Sequence, residues 1–280
     1  MVARALAAHC TARGDEVYAH PRETLDITNP DNVREVFERE RPETVINCAA
    51  WTDVDGCELN PERALLINAG AVEILATHSR LMNSSFVTLS TDYVFKGDKE
   101  GFYTQRDDPE PQSAYGIAKL QGERRAQRAS ARTVVVRSGW VFGTGGKNFL
   151  ATTVERLRRG EHLKTISDAY GTPTYAPHLA ARLRELAARD LPGTYHVVNS
   201  GAGASFLEFA RTAAKAAGIE GVEIESIGMD TLLRPAPRPR NSRLRCLLSE
   251  AVGLAPLPDW QEALREFAES EGELKSKAER

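Results

Sequence analysis

A tyrosine and a lysine four residues apart are the pair in this sequence most suited to chemistry. Tyr115 and Lys119 lie in the segment 114–119 (Ala-Tyr-Gly-Ile-Ala-Lys), and residues 113–129 have the pattern of a helix. On a helix the two side chains share one face, so a phenol and an ammonium can meet in one cleft. Because a nearby ammonium favours the phenolate, we expect a tyrosine with a lowered pKa that exchanges a proton with a substrate oxygen.

The pair has a structural alternative, since a surface helix often carries an aromatic residue beside a solvated lysine. The preceding segment favours chemistry. Residues 85–90 (Ser-Phe-Val-Thr-Leu-Ser) read as a short buried strand, and Ser90, Thr91 and Asp92 fall where that strand ends. Ligands of open α/β sheets bind beyond the carboxyl ends of the strands. We therefore predict a hydroxyl triad of Ser90, Thr91 and Tyr115, with Lys119 behind it, suited to reducing a carbonyl.

Strand-like and helix-like segments alternate as far as about residue 140. Short apolar runs at 45–48, 86–89 and 133–136, and a further strand expected at 15–19, are separated by helical periodicity. This alternation predicts an α/β fold, a Rossmann-like doubly wound parallel sheet, with a smaller C-terminal substrate lobe. The expected domains are a dinucleotide-binding domain at 1–144, a mainly substrate-binding lobe at 145–268 and a frayed polar tail at 269–280.

The bulk properties are those of an ordinary cytoplasmic enzyme. The chain has 36 basic and 39 acidic residues among 280, so its charge does not predict a nucleic-acid partner. No apolar run approaches the length of a membrane span, and we expect no membrane partner. The four cysteines lack Cys-x-x-Cys spacing, which favours reduced structural thiols over a metal site. A homodimer is compatible with these properties.

Several segments, in order, resemble the dTDP-4-dehydrorhamnose reductase family of the extended short-chain dehydrogenase/reductase superfamily. They are 45–55 (Val-Ile-Asn-Cys-Ala-Ala-Trp-Thr-Asp-Val-Asp), 90–95 (Ser-Thr-Asp-Tyr-Val-Phe), 137–142 (Arg-Ser-Gly-Trp-Val-Phe), 171–174 (Gly-Thr-Pro-Thr) and 238–244 (Arg-Pro-Arg-Asn-Ser-Arg-Leu). The resemblance extends to about residue 260. It implies reduction of the 4-keto group of dTDP-4-dehydro-L-rhamnose to dTDP-L-rhamnose with NADPH or NADH.

The resemblance also implies roles for particular residues. Tyr115 would protonate the developing alkoxide, Lys119 would lower the tyrosine pKa and hold the nicotinamide ribose, and Thr91 would hydrogen-bond the reacting oxygen. Residues expected at the cofactor are Asp26, Ile27, Ala49, Ala50, Thr52, Ser90, Tyr115 and Lys119. Residues expected at the substrate are Thr91, Asp92, Trp140, Arg240 and Arg243. Alternatives remain for some: Asp26 could cap a helix, Trp140 could be core, and the arginines could be solvated.

One family feature is not found in the sequence. The family begins with a strand and a glycine-rich turn that hold the cofactor pyrophosphate, whereas residues 1–10 read as the following helix. We expect an in-frame upstream segment to encode them, the alternative being a decayed relative. As the chain stands, the lack of the turn predicts weak dinucleotide binding. Within the order 3-2-1-4-5-6, residues 15–19 would be strand 2 and residues 45–48 strand 3.

The cofactor and the reaction have alternatives as well. Residues 20–23 (His-Pro-Arg-Glu) place no acidic residue at a strand end for a ribose 2′-hydroxyl, while Arg22 could meet a 2′-phosphate, which favours NADPH. Three other functions share the motifs. They are a nucleotide-sugar epimerase or dehydratase with tightly bound NAD, a non-catalytic reductase-like regulatory subunit, and a reductase of a related dTDP-keto-deoxysugar.

Overall fold

The structure is a computed structural model that describes the backbone of residues 1–146 and 148–278 and the side chains as far as residue 270. Its helices are α1 (Val2–Ala12), α2 (Pro30–Glu40), α3 (Val54–Leu59), α4 (Pro61–Leu65), α5 (Ala71–Leu81), α6 (Ala114–Ala129), α7 (Phe149–Arg158), α8 (Ala176–Arg189), α9 (Phe206–Ala216), α10 (Leu247–Ala251) and α11 (Trp260–Ala278). A π-helical turn (Leu66–Gly70) joins α4 to α5, and 3₁₀ turns lie at Asp92–Val94 and Met229–Thr231.

The strands are short, and four of them form the central sheet. They are β1 (Thr44–Asn47), β2 (Ser85–Thr91), β3 (Thr133–Ser138), β4 (Val141–Phe142), β5 (Leu163–Ile166), β6 (Tyr170–Gly171), β7 (Thr174–Tyr175), β8 (Gly193–His196), β9 (Asn199–Ser200), β10 (Ala204–Ser205), β11 (Ile224–Ile227) and β12 (Leu257–Asp259). The central sheet has the order β1-β2-β3-β8 and all of its strand pairs are parallel.

Helices cover both faces of this sheet because its strands are apolar on both sides. On β2, Val87 packs in a cluster with Leu6 of α1 and Leu183 of α8. Its neighbour Phe86 points to the opposite face and packs against Phe37 of α2 and Leu75 of α5. Successive strand residues alternate between faces, so each face needs its own layer of helices. The predicted doubly wound parallel sheet is confirmed.

The predicted strand at residues 15–19 is wrong. These residues have no strand pairing within the described chain. They follow α1 directly, and the Asp15 carboxylate is bound by Arg184 of α8 instead. A strand needs a neighbour to take its N–H and C=O groups, and here none lies alongside.

The place assigned to residues 45–48 is also wrong. β1 hydrogen-bonds directly to β2, with Thr44 opposite Ser85 and Asn47 opposite Thr88. In the order 3-2-1-4-5-6, strands 2 and 1 would both lie between the third strand and the fourth. β1 is instead the neighbour of the strand that leads to Thr91, which brings the loop after Asn47 close to the predicted site.

A second layered unit follows the sheet, but the division at residue 144 is too simple. The chain returns to the sheet with α8 and β8, which lie inside the segment 145–268. Elements α7, α9 and α11 with the parallel pair β5 and β11 form the lobe, around Leu150, Phe209 and Leu264. The lobe is therefore built by two excursions from the sheet rather than by one continuous segment.

The C-terminal segment differs from the expected frayed tail. Helix α11 runs through it as far as Ala278, and residues 279–280 lie outside the described part. Glu, Ala, Lys and Leu all have high helix propensity, which accounts for the continuation. Among the described residues, none of the helices is both long enough and apolar enough to cross a bilayer.

Candidate active site

Helix α6 starts where its first turn packs tightly on the end of β2. Its N-cap is Ser113, whose hydroxyl accepts the Gly116 N–H at 3.2 Å. The Glu58 carboxylate accepts the Ala114 N–H at 2.8 Å and adds a negative charge at the positive end of the helix. A Cβ at Gly116 would stand 2.3 Å from the Tyr93 carbonyl oxygen. The glycine thus permits the contact that sets Tyr115 against Thr91.

Tyr115, Thr91 and Asp92 form a connected set of polar groups at the carboxyl end of β2. The Tyr115 phenol hydrogen-bonds Thr91. The Thr91 hydroxyl donates to Asp92 Oδ1 at 3.0 Å and accepts the Tyr93 N–H at 3.2 Å. All three side chains are buried, at 8%, 5% and 3% exposure. The structure therefore brings together the predicted acid and the predicted oxygen-binding hydroxyl.

The predicted lowering of the Tyr115 pKa is wrong. Burial raises the pKa of Tyr115, the hydrogen bond with Thr91 lowers it, and the nearby Asp92 carboxylate raises it further. Desolvation disfavours the charged phenolate, and in this site that effect prevails. A phenol that keeps its proton is the form required to donate one to a substrate oxygen.

Lys119 lies one turn further along α6 and is also buried, at 4% exposure. Its Nζ donates to the Leu89 carbonyl at 2.6 Å. Burial lowers the pKa of Lys119 to about 8, while the Glu123 carboxylate and the Cys48 thiol oppose the shift. Its ammonium is thus held by the β2 backbone, one helical turn along α6 from Tyr115.

The predicted hydroxyl triad is divided, because Ser90 points away from Tyr115. Consecutive residues of a strand face opposite sides. Thr91 meets the phenol, and the Ser90 hydroxyl donates instead to Glu123 of α6. The triad is therefore a pair, Thr91 and Tyr115, with Ser90 in a separate contact.

Glu123 and Arg137 form a buried ion pair that the sequence analysis missed. Arg137 Nη2 lies 2.7 Å from Glu123 Oε2, and Arg137 Nε lies 3.0 and 3.2 Å from the two carboxylate oxygens. The Arg137 guanidinium also stacks over Phe95 at 5.2 Å and reaches His196 Nε2 at 3.5 Å. Two signals could have found the pair: Glu123 is four residues beyond Lys119, and Arg137 follows three valines in a buried strand.

The loop after β1 presents the small residues predicted to line the cofactor. Ala49 and Thr52 are exposed and Ala50 is half-buried. Asn68, in the π-helical turn, holds this loop by a reciprocal pair: its Oδ1 accepts the Trp51 N–H at 2.8 Å and its Nδ2 donates to the Trp51 carbonyl at 2.9 Å. Asn68 is 1% exposed, so it positions the loop from beneath.

Asp26 and Ile27 lie in the loop before α2. The Asp26 carboxylate accepts both the N–H and the hydroxyl of Thr28, at 3.0 and 2.7 Å. The alternative of a helix cap is wrong, because Asn29 accepts the first N–H groups of α2. Ile27 packs against the cluster around Phe37. The cofactor roles of these two residues stay predictions.

Trp140 occupies a strained position at the junction of sheet and lobe. Its φ of 48° lies in the left-handed region, which a non-glycine residue adopts at a cost of about 1–3 kcal/mol. The indole stacks on Phe206 at 3.8 Å between centroids. Gly171 lies against its face, where a Cβ would be 2.1 Å from the ring. The ring is half-buried, so both a core role and a wall for a sugar fit its position.

The two predicted arginines have different surroundings. Arg240 is bound by two carboxylates, those of Asp168 and Asp230, each at 2.5 Å. Arg243 bonds the Asn241 side-chain oxygen at 2.9 Å and lies over the Phe102 and Tyr170 rings. Arg243 has no carboxylate partner among the described residues, so its guanidinium is freer to take a phosphate.

A further group of residues surrounds the N-terminal end of α1. This helix has no side-chain hydrogen bond at its N-cap. Met1 packs against Gly143 and Gly146, and Arg4 packs against Gly145. A Cβ on any of these three glycines would lie within about 3.5 Å of an atom of Met1 or Arg4. Uncapped helix amides together with an arginine make a region suited to an anion.

Comparison with known proteins gives consistent matches along the chain. Residues 1–272 match the family described as RmlD substrate binding domain. A dTDP-4-dehydrorhamnose reductase of Mycolicibacterium smegmatis is 37% identical over 95% of this chain and 81% of its own length. A probable dTDP-4,6-dihydroxy-2-methyloxan-3-one 4-ketoreductase of Streptomyces antibioticus is 35% identical over 95% and 90%. The crystal structure of a dTDP-4-dehydrorhamnose reductase from Bacillus anthracis in complex with NADP has a TM-score of 0.92 and 31% identity, covering 95% and 94%.

Proposed function

We propose that this chain, which belongs to the RmlD substrate binding domain family, reduces the 4-keto group of dTDP-4-dehydro-L-rhamnose to give dTDP-L-rhamnose. The observation that carries the proposal is the buried contact of the Tyr115 phenol with Thr91, one helical turn from the Lys119 ammonium. A protonated phenol at the carboxyl edge of a parallel sheet is placed to deliver a proton to a carbonyl oxygen as it becomes an alkoxide.

The residues present suit a nicotinamide dinucleotide. Tyr115 and Lys119 would face the ribose hydroxyls, Ala49, Ala50 and Thr52 would line the adenosine side, and the α1 amides with Arg4 would meet the pyrophosphate. When bound, NADPH, or NADH as the alternative, supplies the hydride for C4 of the sugar. NADP in the related crystal structure supports the phosphorylated form. The protein's part is to orient both molecules and to provide the proton from Tyr115.

Substrate binding would use the lobe side of the cleft. Trp140 would contact the deoxysugar with the part of the indole that Phe206 and Gly171 leave exposed, and Asp92 and Thr91 lie at the end of β2. Arg243 would bind the diphosphate, since a guanidinium fork matches phosphate oxygens. Arg240 is better suited to holding the segment in place, because two carboxylates already surround it.

A related keto-deoxysugar substrate is a second candidate, supported by the similarity to the Streptomyces antibioticus ketoreductase. We also propose a cytoplasmic location and a homodimer. Four free cysteines support a reducing compartment. Leu59 and Leu66 expose large apolar side chains, at 75% and 53%, as an interface would require. Sedimentation of the purified protein tests the dimer.

The test of the function is oxidation of NADPH by the purified protein with dTDP-4-dehydro-L-rhamnose, with the product identified by NMR. We expect dTDP-L-rhamnose and net consumption of NADPH, measured at NADPH concentrations high enough to offset the weak dinucleotide binding that the lack of the glycine-rich turn predicts. Tyr115→Phe should keep the ring packing and lower kcat by about 10²–10⁴-fold. The matched control is Tyr103→Phe, a buried tyrosine outside the site. Reduction only of another dTDP-keto-deoxysugar would select the second candidate, and turnover without net oxidation of NADPH would refute both.

A further inference from the structure

The Thr91 hydroxyl has one proton and more than one potential acceptor. In the structure that proton goes to Asp92 Oδ1, and the Thr91 oxygen accepts from the Tyr93 N–H. A threonine hydroxyl is a single donor. While it donates to Asp92, it has no proton for the oxygen of a substrate. The arrangement of Asp92 therefore decides what Thr91 can do.

Asp92 lies in a pocket that suits a neutral acid. Its carboxyl is 3% exposed, and Oδ2 has no hydrogen-bond partner among the described residues. The Gly139 backbone packs against it, and a Cβ there would be 2.5 Å from Oδ2. The groups facing the carboxyl are the Ser242 and Thr91 hydroxyls and the phenols of Tyr93 and Tyr115, with Arg238 next to Tyr93. Burial raises the pKa of Asp92 to about 6, opposed by the hydrogen bond from Thr91 and by the nearby Ser242 hydroxyl.

We propose that Asp92 is a positioning residue that works in its protonated form, donating a hydrogen bond to Thr91 so that the Thr91 proton turns to the reacting oxygen. This inference rests on the proposed reductase function. Asp92 keeps its proton throughout, and the proton that joins the alkoxide comes from Tyr115. The ionised carboxylate would act against the reaction in two ways: it withdraws the Thr91 proton, and it places a negative charge next to a developing oxyanion.

A carboxylic acid that an apolar site keeps neutral can serve as a hydrogen-bond donor to an oxyanion. In this protein the donation would pass through a hydroxyl rather than reach the substrate directly. Tyr115 and Thr91 would then both present protons to one oxygen. Thr91 acts on the reacting atom, and Asp92 acts only through Thr91.

The experiment compares the pH profiles of kcat/KM for the wild type and Asp92→Asn between pH 5 and 7, at least one pH unit below the pKa of about 8 of Lys119. The amide of Asn is always neutral and can donate to Thr91. We expect the wild-type value to fall toward about tenfold per pH unit above pH 6, and the Asn variant to vary by less than about threefold. Thr91→Ser, which keeps the hydroxyl, should retain the wild-type slope, while Thr91→Val should be slow and lack it.

Infrared difference spectra give a readout that needs neither substrate nor cofactor. A carboxylic-acid band should disappear in the wild type as the pH rises through about 6, and it should be absent from Asp92→Asn. The inference is overturned if Asp92 stays ionised at pH 5, if Asp92→Asn keeps the wild-type slope, or if the folded variant loses more than 100-fold at every pH. If Asp92→Asn does not fold, the wild-type spectra and the Thr91 variants decide. An inactive wild type would instead refute the proposed function.

Discussion

The Glu123–Arg137 pair predicts a large and specific loss of stability when one partner is removed. Arg137→Met keeps most of the apolar volume beside Phe95 and removes every guanidinium contact to Glu123. The side chains of Glu123 and Arg137 are 4% and 8% exposed, so the remaining carboxylate would stay buried, with the Ser90 hydroxyl donating to it and the Lys119 ammonium in its vicinity. Breaking a buried pair in this way costs about 3–5 kcal/mol, whereas an exposed pair contributes about 0–1 kcal/mol.

The assay is urea unfolding at pH 7, followed by circular dichroism, with equal slopes required for the comparison. The control is Arg159→Met, which removes the exposed pair with Glu155, whose side chains are 63% and 61% exposed. We expect a loss of about 0.5 kcal/mol or less there. The double variant Glu123→Gln/Arg137→Met should recover much of the stability, because the uncompensated charge is gone.

The reasoning is refuted if Arg137→Met and Arg159→Met lose similar amounts. It is refuted as well if the double variant is no more stable than Arg137→Met, because the cost would then come from lost packing rather than from an unpaired charge.

Gly122→Ala should destabilise the protein by about 1–3 kcal/mol, because its Cβ would be 2.2 Å from the Asn68 carbonyl oxygen. Gly70→Ala should be neutral or stabilising by up to about 1 kcal/mol, because the nearest atom to its Cβ would be 3.9 Å away. Thermal unfolding of both variants checks this, and equal effects would contradict it. Burial, with a smaller contribution from Arg137, lowers the pKa of His196 to about 4, below its unfolded value of about 6.5. Because the unfolded chain binds the proton first as the pH falls, the free energy of unfolding should drop by about 3 kcal/mol between pH 6.5 and pH 4. His196→Gln should remove that dependence from urea unfolding curves measured across this range, and an unchanged slope would show that another group is responsible.

Local patterns were enough to predict the elements that carry the chemistry. The spacing of Tyr115 and Lys119, the hydroxyls at the end of β2 and the alternation of strands and helices all depend on neighbours in sequence. The helix predicted at 113–129 is found at Ala114–Ala129, and the strand predicted at 85–90 at Ser85–Thr91.

The sequence could not reveal properties that depend on residues far apart in the chain and close together in the fold. Residues 15–19 have the composition of a strand but lack a strand beside them, and pairing rather than composition decides. The direction of Ser90 follows from strand alternation, which a motif of hydroxyl residues conceals. The pKa of Tyr115 is raised mainly by burial, and burial depends on several elements that no spacing within α6 could reveal.

The π-helical turn around Asn68 has a consequence for how this protein tolerates change in length. Asn68 pairs with both backbone groups of Trp51, so its side-chain amide bonds them as the peptide unit of a neighbouring strand would. A π-turn contains one residue more than an α-helical turn needs. Deleting one residue at position 66 or 67 would leave a regular helix but rotate Asn68 by about 100° relative to α4 and away from Trp51. Substitutions on the exposed surface of this helix should therefore be tolerated better than a change in its number of residues, which the contact of Asn68 with the loop at Trp51 fixes.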